Sequence, residues 1–207
     1  MKVLNYGSLN VDYVYSVDHI IVGGETQHSS KLEVFSGGKG LNQSIALAKA
    51  GVPVYHAGIV GTDGDILLEA CKEAGVNTKY IRRLPVKGGH TMIQVDKNAQ
   101  NCIILYGGTN QMQTKEFVDE VLADFGEGDY LILQNEINML DYIIDQAYEK
   151  KMKIVMNPSP FDDKLSTCDL SKVYLFLVNE IEGEQITGCK DKDQILDAMA
   201  AKFPNAR

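Results

Sequence analysis

Phe35-Ser36-Gly37-Gly38-Lys39-Gly40-Leu41-Asn42-Gln43-Ser44 constrains the fold of this chain more than any other stretch, because it joins an alternating apolar run to a helical pattern through three glycines. Glycine tolerates positive φ and lets a second backbone or a ligand come close. A helix that starts directly behind it presents free N–H groups and the positive end of its dipole. Ile45, Ala46, Ala48 and Ala50, stopped by Gly51 and Pro53, supply that helix. On these residues alone the stretch reads either as a ligand-binding turn or as a plain strand–turn–helix corner. Two phosphate loops are excluded. A P-loop would need Gly where Glu33 stands and Ser or Thr where Gly40 stands, and a dinucleotide fingerprint would need Gly in place of Gln43.

The chain around this turn alternates between strand and helix patterns. Residues 2–6 and 11–17 read as strands, the second with Val11, Tyr13, Tyr15 and Val17 alternating against Asp12, Ser16 and Asp18, and residues 31–35 alternate again. A helix over 39–50, a strand over 54–60, a turn at Gly61-Thr62-Asp63-Gly64 and a helix over 66–74 closed by Gly75 follow. That order implies a parallel sheet covered by helices. Two short alternating runs, 91–96 and 102–106, then form a hairpin pattern around Lys97-Asn98-Ala99-Gln100. Alternation resumes with 114–125, 130–134, 139–150, 153–157, 173–178 and 180–187. The expected fold class is α/β, doubly wound with a mostly parallel, Rossmann-like sheet, in one domain over 1–207. Strands near 12–18, 29–35 and 91–106 interrupt it, and the pattern alone reads them as extra strands at the sheet edge.

Composition excludes several classes of function. At 44% hydrophobic over 207 residues the chain can bury a sizeable core. A net charge of -8 argues against nucleic acid or an anionic membrane surface as a partner. No apolar run approaches the roughly 18 residues of a membrane span and no signal-peptide layout opens the chain, so a cytoplasmic location is expected. Cys71, Cys102, Cys168 and Cys189 and the histidines at 19, 28, 56 and 90 are dispersed, without metal-ligand or triad spacing.

The N-terminus adds Gly7-Ser8-Leu9-Asn10-Val11-Asp12 after a short apolar strand. With Gly24-Glu25-Thr26, the Gly-Gly-Lys-Gly-x-Asn-Gln turn and Asn157-Pro158-Ser159-Pro160, in this order, the chain resembles the ribokinase-like, or phosphofructokinase-B-type, carbohydrate kinases, most closely the ribokinase branch. The resemblance covers nearly all of the chain. It implies ATP-dependent phosphorylation of a sugar hydroxyl, with ATP, Mg²⁺ and a monovalent cation as cofactors. It also implies a small β lid, contributed by about 12–36 and 88–109, that closes over the sugar and pairs two subunits as a homodimer. The alternatives are a nucleoside kinase of the same fold, with a base stacked on Tyr13 or Tyr106, and a sugar- or nucleoside-binding module without catalysis.

Residue by residue, the resemblance assigns Asn10, Asp12, Gly38, Lys39, Asn42 and Glu136 to the sugar. Converging Asn, Asp and Glu side chains suit a ligand rich in hydroxyls, and Glu136 follows a buried strand where a doubly wound sheet places its ligands. Without the resemblance, an Asx pair such as Asn10 and Asp12 reads as a local turn device. Asn157, Asn179 and Glu182 fall to the nucleotide and phosphate side, Glu182 reaching Mg²⁺ through water. The local readings are turn initiation for Asn157 and a helix cap for Asn179 with Glu182. The family's base lies in a Gly-Ala-Gly-Asp-type motif, expected beyond Arg207, so no catalytic residue is assigned and the polypeptide alone is expected to be inactive. The literal match Gly126-Glu127-Gly128-Asp129 is rejected because it precedes a strand, whereas an anion hole must open a helix.

Overall fold

A computed structural model describes residues 1–207. Strand β1 (Val3–Tyr6) is buried along its whole length, flanked in parallel by β4 (Val54–Val60) on one side and β8 (Tyr130–Gln134) on the other. A strand covered on both faces takes a continuous apolar run. Leu4 and Tyr6 pack with Phe117, Leu131, Ile144 and Ile154 on one face, while Val3 packs with Leu41, Val54, Leu67 and Cys71 on the other. The first face is covered by α3 (Lys115–Leu122) and α4 (Leu140–Glu149), the second by α1 (Lys39–Lys49) and α2 (Asp65–Ala74). With β5 (Asn77–Arg83), β9 (Lys153–Asn157) and β10 (Leu175–Phe176), the sheet runs β10-β9-β8-β1-β4-β5, every pairing parallel. This is the doubly wound α/β fold that the sequence leads one to expect.

The remaining strands form a separate sheet rather than extending the edge of the first. β2 (Asn10–Ser16) sits between β3 (Lys31–Gly37), antiparallel, and β6 (Gly89–Val95), parallel, and β7 (Asn101–Tyr106) closes the order β3-β2-β6-β7. Alternation along β2 gives this sheet two different faces: Asp12 pairs across to Thr91 and Phe35 on one, Tyr13 to Met92 and Val34 on the other.

Three stretches depart from the periodicity. β5 has no apolar run because it is an edge strand, with Tyr80 its one buried residue. The expected strand over 173–178 contracts to β10, although Tyr174 and Leu177 also donate backbone bonds to Ile154 and Met156 of β9. Helices α5 (Glu180–Thr187) and α6 (Ile195–Lys202) pack together over a small core of Ile186, Ile195, Met199 and Phe203, and α6 lies beyond the last element anticipated. No helix is long and apolar enough to cross a membrane.

Candidate functional site

The glycine turn docks the start of α1 onto the end of β1. Gly38 has φ 97°, and a Cβ on Gly40 would stand 2.5 Å from Ser8 N and 2.6 Å from Gly7 C, so the two backbones meet where only glycine fits. The free amides of the helix start all find partners: Leu41 N donates to Ser8 O at 3.0 Å, Gly40 N to Ser8 Oγ at 3.2 Å and Lys39 N to Glu136 Oε2 at 3.0 Å. An acidic group therefore does sit at the positive end of this helix, and it is the protein's own Glu136. Lys39 Nζ holds the second oxygen at 2.9 Å, and the Ser8 hydroxyl donates to the first. The Glu136 side chain is 8% exposed, which makes this pair far better shielded than a surface ion pair.

Opposite Glu136 stands the four-stranded sheet expected to form the lid. Asp12 accepts a hydrogen bond from Thr91 Oγ1 at 2.6 Å. Burial raises the Asp12 carboxyl above the ordinary range; the Thr91 bond opposes that rise and the charge of Glu136 adds to it. Asn10 is buried, and its Oδ1 accepts from Asn110 Nδ2 at 2.7 Å while its amide nitrogen makes no hydrogen bond within the protein. Asn110 also binds the Leu9 amide at 3.0 Å, fixing the crossing from the main sheet to the lid. Between these walls lies a cavity of about 310 Å³. It brings together all six residues of the expected sugar set, Asn10, Asp12, Gly38, Lys39, Asn42 and Glu136, under an aliphatic lid wall of Ile93, Ile103 and Leu105.

A second cavity, of about 590 Å³, shares Lys39 and Asn42 with the first and is lined further by Gln43, Asn157, Asn179 and Glu182. The expected phosphate-side residues therefore meet at one place, beyond the carboxyl ends of the strands. Their local roles are present too. Asn157 Oδ1 accepts from Ser159 N at 3.0 Å in the Asn-Pro turn, and Asn179 with Glu182 forms a reciprocal capping box at the start of α5, with bonds of 2.8 and 3.1 Å.

Tyr13 and Tyr106 do not line this 310 Å³ cavity. They stand with His90 on the other lid face, the His90 ring 6.1 Å from Tyr13 and 5.0 Å from Tyr106, so neither can stack a base over Asp12. Gly126–Asp129 lies before β8, at the end of the strand opposite Glu136. There Asp129 accepts from Lys2 N at 2.7 Å and Gly126 N at 3.2 Å in a turn that leads into the strand; Gly126 is not the helix C-cap that the pattern suggests, since α3 ends at Leu122 and is capped by Ala123.

Beneath the turn runs a buried polar chain with no local sequence signal. Gln134 Nε2 donates to Gln43 Oε1 at 2.6 Å and Asn5 Oδ1 at 2.9 Å, Asn5 Nδ2 donates to Gly40 O at 2.8 Å and Ser44 Oγ at 2.9 Å, and Ser44 lies 2.8 Å from His56 Nδ1. Full burial lowers the His56 imidazole to about 4, with the Gly7 backbone pulling weakly the other way. A histidine that protonates more readily unfolded than folded removes stability as pH falls below its ordinary value of about 6.5. By pH 5 the loss is about 2 kcal/mol. Urea midpoints for wild type and His56→Gln at pH 7 and pH 5 are expected to show a steep fall only in the wild type; parallel falls would assign the acid sensitivity elsewhere.

Residues 1–206 match the pfkB family of carbohydrate kinases. The chain is 34% identical over 195 residues to a ribokinase of Staphylococcus aureus and 31% identical over 203 residues to one of Haemophilus influenzae, covering 91% and 94% of this chain. It spans 64% and 65% of the length of those relatives. The crystal structure of a ribokinase from Cryptococcus neoformans in complex with ADP superimposes with a TM-score of 0.78 at 29% identity, covering 97% of this chain and 66% of that one.

Proposed function

Since the chain belongs to the pfkB family of carbohydrate kinases and is ribokinase-like, we propose that it supplies the sugar side of a kinase that transfers a phosphoryl group from ATP to a sugar hydroxyl. The observation that carries this reading is the cavity in which Asn10, Asp12, Gly38, Lys39, Asn42 and Glu136, from separate segments, converge. Asp12 and Glu136 offer acceptors, Asn10, Lys39 and Asn42 offer donors, and the Ile93, Ile103 and Leu105 wall suits the C–H face of a small sugar.

Asn157, Asn179 and Glu182 take the nucleotide side, with ATP entering the adjoining cavity; the relative from Cryptococcus neoformans was solved with ADP. Glu182 gives Oε2 to the cap, and its other oxygen takes no protein hydrogen bond, which fits a ligand to Mg²⁺-bound water. Mg²⁺ would neutralise charge on the transferred group, and a monovalent cation belongs to the same reading. Leu32, Val34, Met92, Ile104 and Tyr106 leave the outer lid face apolar and exposed, which supports a homodimer formed through the lid.

Both Glu136 oxygens are held by Ser8 and Lys39, and Asp12, with Oδ1 on Thr91 and Oδ2 free, is read as an acceptor for a sugar hydroxyl, so neither is assigned as the base. The 207-residue polypeptide by itself is therefore expected to bind sugar without turnover. A thermal-shift panel of pentoses, hexoses and nucleosides, run beside an ADP-release assay with Mg-ATP, tests this. Stabilisation by a pentose and no ADP release is the expected result, and stabilisation by nucleosides alone would overturn the assignment.

A further inference from the structure

Asp12 is the middle residue of a three-strand arrangement that leaves its carboxylate one position. On the β6 side its Oδ1 takes the Thr91 hydroxyl at 2.6 Å. On the β3 side its Oδ2 lies against Gly37, where a Cβ would overlap it. Thr91 is 8% exposed, and as a β-branched residue it holds its hydroxyl stiffly. The carboxylate is thus gripped on one flank by a donor and admitted on the other by a missing side chain.

We propose that Thr91 is a positioning residue, whose hydroxyl occupies Asp12 Oδ1 and so presents Oδ2 as the single acceptor that this carboxylate offers to a sugar hydroxyl. This rests on the reading of the cavity as a sugar site. Fixing the carboxylate before the ligand arrives removes an ordering cost that binding would otherwise carry. It also makes the donor direction specific, since a carboxylate free to turn has several lone-pair positions to offer. Gly37 is the second half of the device. It needs no unusual backbone angle, so its role is to leave room for Oδ2.

The charged groups facing Asp12 across the cavity are Lys39 of α1 and Glu136 after β8, while β3 and β6 present Phe35, Gly37 and Ile93 beside it. The hydroxyl favours the ionised form of Asp12. Its loss therefore moves the pH at which sugar binding fails upward, with Lys39 and Glu136 unchanged.

The test is calorimetric titration of D-ribose into the 207-residue protein from pH 4 to 8, for wild type, Thr91→Val, Thr91→Ser and Gly37→Ala. Thr91→Val keeps the shape and is expected to bind about tenfold more weakly, with its pH midpoint raised, whereas Thr91→Ser restores both. Gly37→Ala is expected to lose affinity by displacing Oδ2. Wild-type binding matched by Thr91→Val in affinity and pH midpoint would overturn the inference and leave the sugar site standing. A Thr91→Val that melts earlier but binds normally when folded would overturn it likewise. No ribose binding by the wild type would instead remove the sugar reading itself.

Discussion

Gly40→Ala is expected to destabilise the protein by about 3 kcal/mol or more, the largest stability effect of any single substitution in the site. Overpacking by one methyl typically costs about 1–3 kcal/mol when neighbouring side chains can move aside. Here the neighbours are Ser8 N, Gly7 C and Gly7 Cα, at 2.5, 2.6 and 2.8 Å from the added carbon, and backbone atoms of a buried strand end cannot turn away. Relief requires α1 to lift, which breaks the bonds from Leu41 N and Gly40 N to Ser8 and from Lys39 N to Glu136. Urea unfolding measures it. Gly23→Ala is the control, because a Cβ there meets nothing within 4 Å and its cost should stay within about 0.5 kcal/mol. Equal midpoints for the two variants would mean that the turn is a slack corner.

Asp12→Ala is expected to lower ribose affinity ten- to a hundredfold, since losing a charge-assisted hydrogen bond in a shielded site costs about 1.5–3 kcal/mol. Stability should move the other way or barely change. Burial raises the Asp12 carboxyl, so the folded state binds its proton more tightly than the unfolded chain and loses stability as pH rises through the carboxylate range. Alanine removes that cost and leaves only the Thr91 hydroxyl without its acceptor. A residue kept for folding would show the opposite pattern, a lower melting temperature with unchanged affinity per folded molecule.

The glycine turn was legible because a backbone approach this close demands glycine at fixed offsets, and the sugar set followed from the order of motifs around it. Asn179 and Glu182 show the limit of spacing as a signal, since Asn-x-x-Glu before a helix is the same string whether it caps the helix or faces a ligand, and here it does cap. Thr91 and Asn110 carry no local signal. Their partners, Asp12 and Asn10, lie 79 and 100 residues away along the chain, and only the pairing of β2 with β6 and the return after β7 bring them together. Tyr13 differs, because a period of two already sets it on the face opposite Asp12, away from a ligand held there. β5 escaped notice for the ordinary reason that an edge strand buries little and needs few apolar residues.

A sugar bound between the glycine turn and the lid would register in backbone amide chemical shifts recorded while D-ribose is added to the ¹⁵N-labelled protein. Saturable shifts are expected at Asn10 to Asp12, Gly37 to Asn42, Thr91 and Glu136, around the 310 Å³ cavity, and their loss in Asp12→Ala. Shifts gathered instead at the cavity between Phe161, Leu170 and Phe203, or none at millimolar sugar, would contradict that binding site.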